Sequence, residues 1–334
     1  MSPSKNSKSW CALQFNVENL FIYMDLWKGQ DLKELSEADW QKMTTSTTPN
    51  KPLKKIWQIA QIIDELKPEI IFLNEVGGEE SLKHLSTHFL QTAYMPLLKE
   101  GNSPRGIDVG YLLRADVGLK PVLISHKDRP INFLYPHETQ TAAGGKSHYF
   151  SRDVGELRLF RPEETTPCLV CLVVHLKSKL DADMIDGEGR LRRAAELKAL
   201  VDIYNEIKEE LGSDVPVILG GDLNGVADPR SHEPEFKYLY ENSDLIESFE
   251  LAQLPDSKRV TQVQIRPDSK RIETQIDYFF VSPSLKDKVI SEETGAYFFK
   301  SDLGMDRPHP SSLEEKSELP SDHYPIRLTL SLML

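Results

Sequence analysis

Cysteine is scarce in this chain, with three in 334 residues, which argues against a disulfide-stapled fold. Cys168 and Cys171 do form a C-x-x-C, but it lies inside the apolar run 168–174. Three residues apart on a strand, they should point to opposite faces. The pair therefore reads as two core side chains rather than a redox or zinc motif. Apolar runs long enough to span a membrane are absent. Segment 1–9 is a polar, weakly basic, serine-rich tail without the apolar stretch of a secretory leader, so the expected compartment is cytoplasmic. Basic charge is also short: 40 Lys and Arg face 52 Asp and Glu, a net charge of −12. That balance argues against a broad basic surface tracking duplex DNA. It leaves phosphate chemistry open, because clustered carboxylates are what a hard divalent cation needs. No internal repeat or low-complexity linker divides the chain, so residues 10–334 read as one domain with a sizeable core.

What the chain does have is a set of short apolar runs that end in polar residues. The clearest is Pro216-Val217-Ile218-Leu219-Gly220-Gly221-Asp222-Leu223-Asn224. It is too short for a helix and is bounded by proline and glycine. The pattern predicts a buried strand that presents Asp222 and Asn224 on one side of its C-terminal mouth. Strands are likewise predicted at 11–17, 69–75, 109–114, 154–160, 169–175, 276–282 and 324–330. Helices are predicted at 31–43, 52–67 (where Pro52 stands near the start), 79–89 and 189–211, the last stopped by Gly212. Strands outnumber helices, which implies two sheets packed face to face with helices outside.

Six strand ends carry chemistry: Asn16 and Glu18; Asn74 and Glu75; His175; Asp222 and Asn224; Asp277; Asp322 and His323. Converging on one edge, they would supply metal-assisted phosphoester hydrolysis. Glu75, with Glu18 or Asp322, would hold a Mg²⁺-type ion through oxygen. Asp222 would orient or deprotonate the attacking water. His323 backed by Asp277 would keep one tautomer and contact the phosphate. Asn16 and Asn224 would add neutral hydrogen bonds.

In order, Phe15-Asn16-Val17-Glu18-Asn19, Leu73-Asn74-Glu75-Val76, His175-Leu176-Lys177-Ser178-Lys179, Gly221-Asp222-Leu223-Asn224, Ile276-Asp277-Tyr278 and Ser321-Asp322-His323 resemble the endonuclease/exonuclease/phosphatase superfamily. Each motif alone is weak; six in order from about residue 13 to 330 are specific. The resemblance implies a deoxyribonuclease-I-like four-layer α/β/β/α sandwich, with two mixed, mostly antiparallel sheets, and a Mg²⁺ or Mn²⁺ cofactor. It implies Glu75 as principal metal ligand, with Glu18 and Asp322 nearby. It implies Asp222 aligning the water, Asn224 contacting phosphate, and the Asp277–His323 pair at the scissile phosphate, with Asn16 in support. His175 is similar to the histidine of secreted deoxyribonucleases and sphingomyelinases, and Arg152 resembles their phosphate-binding arginine. Asn74-Glu75 departs from the commoner Gln-Glu, changing the neighbour of the ligand.

Plainer readings stand beside these. Glu75 could cap a helix, and His175 could be a satisfied core histidine. Lys177 and Lys179 could be merely solvated. Asp277 inside an apolar strand needs a buried partner. Arg190, Arg192 and Arg193 oppose a helix dipole, which fits either a phosphate partner or salt bridges to Asp181, Asp183 or Asp186. The run 181–187 fails the spacing of a calcium loop. The reading that follows is a metal-dependent phosphodiesterase with nucleic acid as leading substrate, no membrane span and no obligate protein partner. The alternatives are a lipid or small-molecule phosphohydrolase of the sphingomyelinase or inositol-phosphate phosphatase type, and a catalytically idle binding module. Loops 23–50, 137–150, 225–235 and 300–320 would decide the substrate.

Overall fold

A computed structural model describes residues 9–140, 146–180, 184–266, 270–301 and 303–332. Gly144, Gly145, Asp181, Asp183 and nearly all of the polar tail lie outside the described residues. The first half supplies β1 (Ser9–Leu20), β2 (Ile70–Val76), β3 (Tyr94–Leu98), β4 (Asp108–Arg114), β5 (Lys120–Ser125), β6 (Val154–Phe160) and β7 (Leu169–His175). The second half begins with β8 (Val217–Asp222), followed by the short strands β9 (Ala227–Asp228), β10 (Ser231–His232) and β11 (Ile246–Glu247). It closes with β12 (Gln262–Ile265), β13 (Arg271–Thr274), β14 (Asp277–Val281), β15 (Gly295–Ala296) and β16 (Ile326–Ser331).

Twelve of these form two six-stranded sheets, in the orders β15-β16-β1-β2-β4-β3 and β11-β14-β8-β7-β6-β5. Each sheet has one parallel pair, β1 with β2 and β7 with β8, and antiparallel neighbours elsewhere. A parallel pair needs a crossover. Of the helices, α1 spans Glu37–Gln41, α2 Leu53–Leu66, α3 Gly78–His84 and α4 Arg190–Leu211. The β1–β2 crossover contains α2, and the β7–β8 crossover contains α4.

The layering follows from strand alternation. Leu13, Phe15 and Val17 of β1 join Ile56, Ile59 and Ile63 of α2 in one outer core. Val170, Leu172 and Val174 of β7 join Leu197, Leu200 and Tyr204 of α4 in the other. The intervening positions, Ala12, Ile70, Phe72, Cys171, Val173, Ile218 and Phe279, fill the layer between the sheets. There Phe72 meets Tyr111 and Phe279 edge-on at 5.0 and 5.1 Å. The result is the expected α/β/β/α sandwich.

Local differences have local causes. Cys168 sits one residue ahead of β7, so alternation does not govern it, and it packs against the same inter-sheet core as Cys171. The helix expected at 31–43 is only the five-residue α1, capped by Ser36. The helix expected at 79–89 relaxes after His84 into a π-turn, Leu85–Phe89. Strands β3, β5 and the β12–β13 pair escaped the sequence reading. They are edge or surface strands, where apolar alternation is weak.

Candidate active site

The same alternation carries polar groups to the end of the inter-sheet layer. On β7 the inward series Cys171, Val173 continues to His175; on β8 Ile218, Gly220 continues to Asp222; on β14 Asp277 precedes Phe279. Register places His175 beside Asp222 and Asp222 beside Asp277, one row across three strands. On the opposite sheet Ala12 leads to Gln14 and Asn16, and Asn16 pairs in register with Asn74. The rows touch. Asn16 Nδ2 donates to Asp222 Oδ2 at 3.1 Å, and Gln14 Nε2 donates to Asp277 Oδ1 at 3.1 Å and Asn74 Oδ1 at 2.8 Å. Asn74 Nδ2 in turn donates to the Val174 carbonyl at 2.8 Å. A buried layer that ends in amides and carboxylates must pair most of them internally, and here Gln14 Oε1 is left without a partner among the described residues.

Gly220 and Gly221 leave room for the neighbouring strands β14 and β7 of the same sheet. A Cβ on Gly220 would lie 2.5 Å from the Phe279 ring. One on Gly221, whose φ is +151°, would lie 1.9 Å from the Val174 carbonyl oxygen.

Two bulges aim the carboxylates. Pairing of β1 with β2 slips between Asn16 and Leu20, and pairing of β2 with β4 slips between Leu73 and Val76. Glu18, Asn19 and Glu75 at these slips have φ of 47°, 52° and 63°, a left-handed conformation costing roughly 1–2 kcal/mol per residue. Bulges of this kind re-aim side chains. The half-buried Glu75 accepts from the Asn19 N–H at 3.0 Å and lies 3.5 Å from Asn16 Nδ2. The next helix, α3, has no side-chain cap, so Glu75 is no helix cap.

His323 Nδ1 lies 2.8 Å from Asp277 Oδ2, and its Nε2 lies 3.9 Å from Asp222 Oδ2. Burial works against a charged His323, but Asp277, Asp322 and Asp222 outweigh it and push its pKa well above the usual value. Burial, then the charge of Asp277, pushes Asp222 up to about 7. His175 goes the other way: burial, then Arg152, lowers it well below the ordinary histidine value. Its Nε2 lies 3.5 Å from Asp222, and its buried Nδ1 has no partner among the described residues. Arg152 is buried, donates weakly to Ser151 Oγ (3.2 Å) and the Leu176 carbonyl (3.5 Å), and leaves Nε unpaired. The carboxylate of Glu196 on α4, fully buried, accepts the N–H groups of Ser151 and Lys177 at 2.8 and 2.7 Å, fixing the segments that carry Arg152 and His175. Asn224 Nδ2 donates to the Leu176 carbonyl at 3.0 Å, and its N–H donates to Asp222 Oδ1 at 2.8 Å.

These groups face a cleft of about 600 Å³ lined by Glu75, Arg152, His175, Asp222, Asn224, Asp322 and His323, with Glu18 at its rim. One wall escaped the sequence reading. The β12–β13 hairpin contributes Gln262, Gln264 and Arg266, and Gln262 Nε2 sits 2.9 Å from His323 Nε2. The weak polar–apolar alternation Gln262-Val263-Gln264-Ile265 is the only signal that could have revealed it. Arg105, which also lines the cleft, was missed because nothing around it in sequence is periodic.

Asp222, Asp277 and His323 each offer a ligand atom within 4.8 Å of the others, a set that could hold a metal ion. Asp277, however, is fully buried and is not among the residues that line the cleft, and its Oδ2 engages the Nδ1 of His323. Glu75 fits a hard cation better. It opens on the cleft, and each oxygen accepts one hydrogen bond and so keeps a lone pair free. Asp322 lines the same cleft, 3.4 Å from Lys316. Glu18 is held differently, 3.5 Å from both Lys51 and Lys55. Salt bridges account for the arginines at the start of α4: Arg190 with Glu188, Arg192 with Glu196, and the fully buried Arg193 with Glu235. Asp186 instead accepts the Leu191 and Arg192 N–H groups at the helix start.

The profile of the Endonuclease/Exonuclease/phosphatase family matches residues 13–323. Among curated proteins no sequence matches. Solved structures with the same fold include truncated Caenorhabditis elegans TDP2, at 18% identity over 96% of this chain and 97% of that one, TM-score 0.55. D. rerio TDP2 complexed with a single-strand DNA product is 14% identical over 96% and 98%, TM-score 0.57. The human Nocturnin catalytic domain with bound sulfate is 17% identical over 97% and 95%, TM-score 0.57.

Proposed function

This chain belongs to the endonuclease/exonuclease/phosphatase family, a family of phosphoester hydrolases, and on that premise we propose a divalent-metal-dependent phosphodiesterase acting on nucleic acid. The carrying observation is the pair of in-register rows, Asn16–Asn74 and His175–Asp222–Asp277, closed by His323 over a single cleft. Asp222, anchored by Asn16 and the Asn224 N–H, aligns a water for in-line attack on phosphorus and accepts its proton. Arg152, with unused N–H donors, and neutral His175 bind the phosphate oxygens. His323, kept protonated by Asp277, stabilises the charge that builds on them. Glu75 and Asp322 are the residues that would hold Mg²⁺ or Mn²⁺. Such an ion supplies Lewis-acid stabilisation of the phosphoryl oxygens.

The single-strand DNA product held by D. rerio TDP2 and the sulfate held by human Nocturnin support a nucleic-acid phosphodiester as substrate. Among the described residues no helix is long and apolar enough to cross a membrane. An amphipathic phosphodiester is the second reading, favoured by the exposed Leu180 that lines the cleft. The test is metal-dependent hydrolysis of bis-p-nitrophenyl phosphate, single-stranded DNA, duplex DNA, RNA and sphingomyelin by wild type and Asp222→Ala. Nucleic-acid cleavage lost in the variant supports the proposal. Cleavage by the variant at the wild-type rate refutes the role of Asp222, and turnover confined to sphingomyelin selects the second reading.

A further inference from the structure

Beside the catalytic cleft lies a smaller annex of about 370 Å³, lined by Glu18, Asn19, Thr48, Asn50, Lys51, Lys55 and Arg105. Glu18, Asn19 and Arg105 also line the main cleft, so the two spaces are contiguous. Asn19 joins them directly. Its N–H bonds Glu75 Oε2 at 3.0 Å, and its Oδ1 accepts from Arg105 Nη2 at 2.5 Å.

Three cations and one carboxylate line this annex, within a chain of net charge −12. Lys51 has a nearly buried side chain, donates to the Glu18 carbonyl at 2.8 Å and lies 3.5 Å from Glu18 Oε2. Lys55 approaches the same oxygen at 3.5 Å. Both contacts are long for ion pairs, so Glu18 neutralises the lysines loosely. Arg105 has no carboxylate within ion-pair distance among the described residues. Lys55 also stands in the first turn of α2, where the helix dipole disfavours cations; the Glu37 carboxylate that accepts the Leu53 N–H at 2.9 Å makes no ion pair with it. Positive charge kept against a helix dipole and only half neutralised is an arrangement that an incoming anion would relieve.

We propose that this annex is a second anion subsite, which takes the phosphate adjacent to the scissile one in a nucleotide chain. Lys55 and Arg105 contact that phosphate, while Lys51 adds charge from behind Glu18. Glu18 serves as the counter-ion that the phosphate displaces, not as a metal ligand. The inference rests on the phosphodiesterase reading and narrows it: the preferred substrate carries two neighbouring phosphates, which a single-phosphate lipid diester lacks.

The experiment separates the two claims. Calorimetric titration of the full chain with thymidine 3′,5′-bisphosphate, thymidine 3′-monophosphate and thymidine 5′-monophosphate needs no turnover. The wild type is expected to bind the bisphosphate at least about tenfold more tightly than either monophosphate. Lys55→Gln should erase that preference and Lys55→Arg should retain it. Equal affinity for the three ligands, or an unchanged preference in Lys55→Gln, overturns the subsite. Hydrolysis of bis-p-nitrophenyl phosphate, which carries one phosphate, reads the phosphodiesterase activity separately and should stay within about twofold of wild type in Lys55→Gln. A parallel loss of bis-p-nitrophenyl phosphate turnover in that variant also overturns the subsite, because it would place Lys55 in the reaction itself.

Discussion

Replacing Asp277 with asparagine changes one atom in a fully buried carboxylate and leaves the pocket volume alone. In the native chain Oδ2 faces His323 Nδ1 at 2.8 Å and Oδ1 accepts from Gln14 Nε2 at 3.1 Å. An amide keeps one acceptor and turns the other position into a donor. Set against Gln14, that donor meets another donor. Turning the Gln14 amide to answer it would point an oxygen at Asn74 Oδ1, which Gln14 Nε2 now bonds at 2.8 Å. Set against His323, it forces Nδ1 to become an acceptor, so the imidazole loses its second proton and the charge that Asp277 sustains. Either way one buried polar group goes unsatisfied, at a cost of about 1–3 kcal/mol of stability. The imidazolium that stabilises the transition state is lost as well. Turnover should fall by roughly two to four orders of magnitude, about 3–5 kcal/mol at 1.36 kcal/mol per decade. The assay is Mn²⁺-dependent bis-p-nitrophenyl phosphate hydrolysis, with thermal unfolding of the same preparation. A variant that melts earlier yet turns over within threefold of wild type would refute the argument and make the Asp277–His323 bond purely structural.

Three further outcomes are expected. Gly221→Ala drives a Cβ into the Val174 carbonyl and should destabilise the fold by on the order of 3 kcal/mol; a melting temperature within a degree of wild type would contradict the close approach of β7 and β8. Glu75→Gln should weaken Mn²⁺ binding in a calorimetric titration by at least about tenfold while leaving the melting temperature of the metal-free protein near wild type, and unchanged Mn²⁺ affinity would remove Glu75 as ligand. Because burial and Asp277 push Asp222 up to about 7, and only its ionised form accepts a proton from water, kcat/KM should fall as pH drops through about 7 and level off above it. A flat profile from about pH 5.5 to 8.5 would count against Asp222 as the water-aligning group.

The strands that carry the site were legible in the sequence, because apolar runs and alternation are properties of neighbours. Residues 154–160 and 169–175 are strands with the predicted bounds, and the run ending in Gly220-Gly221-Asp222 is a central strand. That His175 continues the inward face of Cys171 and Val173 emerged with the structure. What alternation could not say is which polar ends confront one another. Gln14 meets Asp277 across 263 positions, and Asn74 meets the Val174 carbonyl across 100. Such pairs form only because the two sheets stack and their registers align. The bulges that put Glu18, Asn19 and Glu75 into left-handed backbone lie where the pairing of β1, β2 and β4 slips, a matter of register between distant segments that no local pattern announces. Tertiary packing alone gave Glu18 to Lys51 and Lys55 while it left Glu75 open to the cleft. Composition and periodicity act over a few residues and set which side chains face inward; the long-range closure of two sheets set which of them share a charge, a proton or a ligand.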